Sequence, residues 1–387
     1  SIAEHGLNNN FKERTKRERL AVECMTDKKI LIVVIICLFF ICCPAYAQVT
    51  HEKDIQSDTI WDSNQTHRVA SEITVQKGST LTIEEGTIVE FTPDGHLHIE
   101  GTFNAEGKNS KIIYLTSYRD NSTKIQNRTE TPQDIDDDEY WDGISFHPDS
   151  KGTIKYATLK YSDDSLEARN ADLIIQNSTI KNNKESGISI HSCDNATATH
   201  NLIQDNAAPA IHIDSSFQSH VEENIFRNNH GDYIGLSGSI TSSATWDELI
   251  ASTQDKVIAG DILVETGASL GLDPGSVVKL APREELTIDG VLRANGTADN
   301  PIHFTSIKDD SAGGDTNGNG NATTPSPGDW EGIQFNPGSR GGLRHCVLRY
   351  GGAWGSEVLK IQSASVSIRN SRIAENHSGM SVTTPSS

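Results

Sequence analysis

Two sets of side chains in this sequence have the types and spacing to do chemistry. In the stretch DTNGNGNAT (315–323), Asp315, Asn317, Asn319 and Asn321 recur at every second position. The first three match the opening ligand positions of D-x-N-x-N calcium loops, in which hard oxygen donors wrap one turn of chain round the ion. Position 12 counted from Asp315 is Ser326 rather than a bidentate glutamate, so Asp309, Asp310 or Asp329 has to supply the missing charge. The stretch reads equally as a calcium loop and as a solvated Asn/Gly turn. The second set is Glu167 with Arg169, His191, and His212 with Asp214. A carboxylate, a guanidinium and two imidazoles on one face could hold an acidic sugar and move a proton. Solvent-facing positions are polar by default, so this set also reads as an ordinary wet surface.

Either chemistry depends on elements that bring distant positions together, and the sequence supplies them as repeats. WDGISFHP (141–148) returns as WEGIQFNP (330–337), 189 residues later, and the same offset maps Gly78 on Gly267, Gly101 on Gly290 and Tyr161 on Tyr350. Past Tyr350 the register slips by four residues, and the chain ends with several rungs of the second copy missing, which reads as a fragment or a differently capped end. A finer period of 23 residues places Asn183, Asn206 and Asn229 in step, with Ile188 and Ile190 recurring as Ile211 and Ile213. Apolar residues alternate with polar ones at the strand period of two. Beyond residue 47, helical periodicity is confined to a possible turn near WDELI (246–250). Such a unit cannot bury its apolar side alone and must stack on its neighbours. Stacked rungs put the three asparagines in one column about 4.8 Å apart, where their amides can bond each other and the turn backbone.

These columns resemble the asparagine ladder of right-handed parallel β-helices in the pectate-lyase-like superfamily, and the openings at 73–91 and 262–280 look like the start module of secreted bacterial β-helix proteins. The resemblance covers roughly residues 70–387. The expected fold is all-β: a right-handed parallel β-helix solenoid in two tandem copies, the second truncated. The first copy with its N-terminal cap spans 48–245 and the second, incomplete, 246–387.

In that register Leu166, Ile188 and Ile211 point inward, which leaves Glu167, Ser189 and His212 in one outward column and Arg169, His191 and Asp214 in the next. The second copy has Lys360 in place of Glu167, Gln362 in place of Arg169 and Thr383 near the place of His191, so folding does not require the set. Superfamily enzymes do their chemistry on such outward columns. The R-I-K and G-H-G motifs of inverting polygalacturonases are absent, however, and the local motifs of calcium-type pectate lyases are missing too. Asp163-Asp164 reads as a turn. Trp141 and Trp330 occupy equivalent places and read as packing anchors, whereas Trp354 in GGAWG is the candidate ligand platform.

The remaining composition bounds location and partners. Met25 opens a secretory-signal pattern over 25–47: lysines, a run of 14 apolar residues, and Ala45 and Ala47 at an A-x-A cleavage site. That run is shorter than the roughly 20 residues of a spanning helix, so no membrane span is expected in the exported chain. Residues 1–24 read as an upstream leader foreign to the exported protein. The first 47 residues hold seven of the 33 Lys/Arg and five of the 53 Asp/Glu, so the exported part carries 26 basic and 48 acidic side chains, net −22. Nucleic acid is not expected as a partner on that charge. Of six cysteines only Cys193 and Cys346 lie in the exported part, as two separate buried thiols. The expectation is a secreted, cell-surface or periplasmic non-catalytic protein that adheres to extracellular polysaccharide or cell-surface glycan, with calcium as the candidate cofactor. The alternative is a lyase or hydrolase of acidic polysaccharide acting through the Glu167 face.

Overall fold

Short β-branched segments separated by Asn, Gly and Ser corners form strands of mostly three to five residues, and every ladder between named strands is parallel. The computed structural model describes residues 47–123, 135–193, 195–214, 220–246 and 256–384. The expected leader, all of the expected signal but Ala47, and most of WDELI lie outside them. In the earlier rungs successive strands go to three different sheets, in the later rungs to two, and each strand pairs with its counterpart in the next rung. One sheet has eight strands, from Ala47–His51 to Ile225–Arg227, and a second has seven, from Thr59–Trp61 to His220–Glu222. A five-stranded sheet serves the later rungs, and a 16-stranded sheet, here the long sheet, runs through the molecule. The fold is an all-β parallel solenoid. Among the described residues no helix is long and apolar enough to cross a membrane.

The alternation sets the core. Ile73, Leu97, Ile144, Leu166, Ile188, Ile211 and Ile234 stack along the inner side of the long sheet, each at most 1% exposed. The expected inward residues Ile190, Ile213, Leu286, Ile288, Ile302 and Phe304 are equally buried. Burying one such side chain contributes roughly 1.5–3 kcal/mol. Ile211→Ala would leave a cavity between two rungs and cost roughly 2–5 kcal/mol.

At the corners the backbone turns through left-handed conformations, at Asn182, Asp205 and Asn228 (φ 55–57°), where Asn and Asp are the least strained non-glycine residues. The next residue in each rung is the ladder asparagine. Asn183 donates its backbone N–H (3.1 Å) and Nδ2 (2.8 Å) to Asn206 Oδ1, and Asn206 does the same to Asn229 Oδ1. Asp232 ends the ladder by accepting both donors of Asn229. A second ladder runs through Ser178, Asn201 and Asn224, with Asn201 donating its N–H and Nδ2 to Asn224 Oδ1 at 3.0 Å. It satisfies the corner amides on the other side of the same strands.

Strand bounds recur at the 189-residue offset: Ile88–Phe91 with Val277–Leu280, His96–Ile99 with Glu285–Ile288, and Lys151–Lys155 with Arg340–Arg344. Between the two stretches the long strands Gly231–Ile240 and Lys256–Val264 pair directly, so the solenoid continues across the junction. Trp141 and Trp330 are fully buried and donate Nε1 to the carbonyls of Lys160 (3.0 Å) and Arg349 (2.9 Å), as packing anchors do. Cys193 and Cys346 are both buried thiols. One expectation fails. Asp163 and Asp164 lie inside strand Ser162–Arg169, not in a turn. The pairing slips there by one residue opposite Gly143, whose φ of 121° and closeness to the Asp164 carbonyl leave no room for a Cβ. The slip is a bulge, which sequence periodicity does not reveal.

Candidate functional site

The outward face of the long sheet brings the predicted acid–base set together. Glu167 pairs with Ser189 and Ser189 with His212, while Arg169 pairs with His191 and His191 with Asp214. Arg169 and Glu167 form an ion pair within one strand. His191 lies between two carboxylates, with Nε2 3.5 Å from Glu167 Oε1 and Nδ1 2.8 Å from Asp214 Oδ2. The second contact is close but not aligned as a hydrogen bond. His212 Nε2 is 2.9 Å from Ser237 Oγ. Burial, and then the neighbouring His191, lower the pKa of His212 and keep its ring neutral. Asp164, beside the set, is raised by burial first and then by Glu167, Glu185 and Asp163. The arrangement offers one guanidinium, two imidazoles and two carboxylates on a sheet surface. It can accept hydroxyls and carboxylates from a polymer, and His191 can pass a proton.

Two outward columns extend this face toward the earlier rungs, with His98, Ser145 and Glu167 in one and His147 ahead of Arg169 in the other. His96 also belongs to the face; its ring stacks on His98 at 4.0 Å. Burial, followed by the charges of His98 and His147, lowers its pKa to about 4. HLH at 96–98 shows the strand period, and that signal could have found these residues.

The loop residues fall into two places. Asp315 accepts the backbone N–H groups of Asn319 (3.1 Å) and Gly320 (2.7 Å), and Asn317 and Asn319 both donate Nδ2 to Thr323 Oγ1 (3.3 and 2.9 Å). These three therefore close one turn, while Asn321 is exposed. The side-chain oxygens Asp310 Oδ1 and Asn317 Oδ1 are buried without a hydrogen-bond partner. Asp309 is not in the turn. Its carboxylate is buried, pairs with Arg349 (2.7 Å), and accepts from Thr305 Oγ1 (2.5 Å) and Ser311 Oγ (2.6 Å). Asp329 is likewise taken by Lys308 (2.9 Å) and Ser306 (2.8 Å). Among the described residues no three His, Cys, Asp or Glu side chains converge as metal ligands.

The first copy repeats the anchor with Thr116, Asp120, Ser122 and Lys160, the last at 2.7 Å. Burial works to raise the Asp120 carboxyl, and the bonds from Lys160 and Ser122 outweigh it and hold it below the ordinary value. Asp309 is thus a loop anchor, a role the sequence shows only when TSYRDNS and TSIKDDS are compared.

Trp354 is 75% exposed, in a short turn at Ala353–Gly355, with the Arg283 guanidinium 5.1 Å over its ring. Nearby, Asp261, Glu284 and Glu331 interact closely. Burial, then the charge and hydrogen bond of Asp261, push Glu284 up to about 7.

Fold and site define a class: a β-solenoid that displays polar columns on a continuous parallel sheet. Residues 54–246 match the family model described as right handed beta helix region. Over that stretch the chain is similar to right-handed β-helix proteins, and its fold is an all-β parallel solenoid. No curated protein and no solved structure matches the chain.

Proposed function

We propose that this is an exported, non-catalytic β-helix protein that binds an acidic polysaccharide along the outward face of the long sheet in its first copy. The observation that supports this reading is the paired columns Glu167/Ser189/His212 and Arg169/His191/Asp214. Rungs about 4.8 Å apart repeat polar groups at a spacing suited to a linear polymer. Arg169 supplies the fork that grips a sugar carboxylate, and exchanges its Glu167 partner for the ligand. Trp354 gives a second, separate platform on which a sugar ring can stack. Calcium belongs to the proposal as a weak ligand of the Asp315 turn, held by Asp315 and the side-chain oxygens of Asn317 and Asn319, with affinity of roughly 0.1–1 mM. Asp309 takes no part in it.

One observation favours a second reading, cleavage of the polymer: His191 between two carboxylates is placed for proton transfer. A panel of uronate polymers assayed for both binding and turnover separates the two. Binding by the wild type that weakens at least 10-fold in Arg169→Ala, without chain cleavage, supports the binding role. Turnover abolished by His212→Ala or Arg169→Ala at unchanged melting temperature supports the enzyme.

A further inference from the structure

His98 and His147 come together on the rungs before the Glu167 set. His98 lies on strand His96–Ile99, and His147 directly follows strand Trp141–Phe146. His98 Nδ1 and His147 Nε2 are 3.2 Å apart. The other nitrogen of His98, Nε2, is 3.7 Å from Glu72 Oε2. That carboxylate favours the tautomer with its proton on Nε2, which leaves the Nδ1 lone pair to accept from His147 Nε2–H or, with that proton moved to His147 Nδ1, to share a cation with His147 Nε2. Two imidazole nitrogens bound to one tetrahedral zinc ion at about 2.0–2.1 Å lie roughly 3.4 Å apart, close to the observed separation. A carboxylate behind a ligating histidine is also the usual way such a ring is oriented. His96 completes the support by stacking on His98 with planes 14° apart, and is itself fixed by Ser145 Oγ at 2.8 Å.

We propose that His98 and His147, oriented by Glu72 and His96, form a divalent transition-metal site on the outward face of the first copy. Two protein nitrogens hold the ion, and its remaining positions are open to water or to a ligand oxygen. Imidazole donors suit zinc, nickel and copper and discriminate against calcium, so this site is distinct from the Asp315 turn. The second copy lacks the donors. Thr287 and Asn336 stand in place of His98 and His147, and Asn336 donates to Asp289 Oδ1 at 2.7 Å. The other close histidine pair, His51 and His67 at 2.9 Å, differs in its support: His67 Nε2 reaches the Asp62 carbonyl at 3.0 Å rather than a carboxylate, and both rings stack with Trp61. The proposal does not rest on polysaccharide binding.

The test is a zinc titration of the untagged chain by calorimetry, repeated with nickel, on the wild type and on His98→Gln, His147→Gln, Glu72→Gln and His220→Gln. The wild type should bind one ion. His98→Gln and His147→Gln should each weaken binding at least 100-fold, Glu72→Gln about 10-fold as a positioning residue, and the exposed His220→Gln not at all. X-ray absorption on the zinc-loaded wild type should show two imidazoles in the first shell. Metal-free melting temperatures check the fold of each variant, and His147→Gln decides should His98→Gln melt early. No zinc binding by the wild type, or binding that survives both histidine substitutions, overturns the proposal.

Discussion

The two stretches related by 189 residues share their insides and differ outside. Trp141 and Trp330 are equally buried, Ile144 and Ile333 each face the core, and Asp120–Lys160 and Asp309–Arg349 anchor equivalent loops. On the outward face His98, Ser145 and Glu167 of the first copy correspond to Thr287, Gln334 and Lys360 of the second. Inward columns and loop anchors are fixed by the demands of burial, so what is common to both copies reports folding. The imidazoles and the Glu167–Arg169 pair stand in only one copy, on the side where packing demands nothing. That contrast is why the binding role is assigned to the first copy.

Four perturbations can break or sharpen the comparison. The largest effect belongs to the shared anchors. Removing the carboxylate in Asp120→Ala strands the buried Lys160 and should lose roughly 3–5 kcal/mol of stability, and Asp309→Ala, whose partner Arg349 is partly exposed, should lose somewhat less. Denaturant melts that show a loss in one copy alone would mean that the anchors are not equivalent. Next comes the ladder, three asparagines deep in the first copy. Asn206→Leu leaves the buried backbone N–H and Nδ2 of Asn183 without their acceptor, about 1–3 kcal/mol for each unsatisfied group. Asn195→Leu, at an exposed corner, should stay within about 0.5 kcal/mol. Equal melting losses would count against the ladder.

Opposite pH responses should follow. Glu284 in the second copy is raised from 4.5 to about 7, so the folded state holds a proton there that the unfolded chain has released. Its contribution to stability is therefore present at low pH and falls as pH rises through the window from 4.5 to 7. His51 in the first copy is lowered from 6.5 to about 4, by burial and then by His67. Its contribution is present above 6.5 and lost as pH falls toward 4. Melting curves from pH 4 to 8 should show that Glu284→Gln flattens the neutral side of the profile and His51→Gln the acid side; the same change from both would refute the assignment. Smallest in stability is Trp354→Ala, within about 0.5 kcal/mol, although sugar binding at that platform should be lost. A large drop in melting temperature would make Trp354 a packing residue instead.

Much of this molecule was legible because a period of two separates inside from outside, and a 23-residue unit fixes which residues stack. Leu166, Ile188 and Ile211 inward, with Glu167, Ser189 and His212 outward, follow from those periods alone. The second ladder lay within the same repeated stretches, yet Ser178 opens it with a hydroxyl where the later rungs have amides. The bulge at Asp164 was hidden because one inserted residue leaves the composition unchanged. Asp309 looked like a metal ligand because the cation that occupies it, Arg349, lies 40 residues away in the chain and becomes a neighbour only after the rungs stack.

The most direct test of the binding assignment is a calorimetric titration of one uronate polymer into matched variants of the two faces. Arg169→Ala combined with His191→Ala removes the first-copy set, and Lys360→Ala combined with Gln362→Ala removes its second-copy counterpart. The account predicts affinity at least 10-fold weaker in the first pair and unchanged in the second, with melting temperatures of both close to wild type. Equal losses from the two pairs, or no loss from the first, would contradict it.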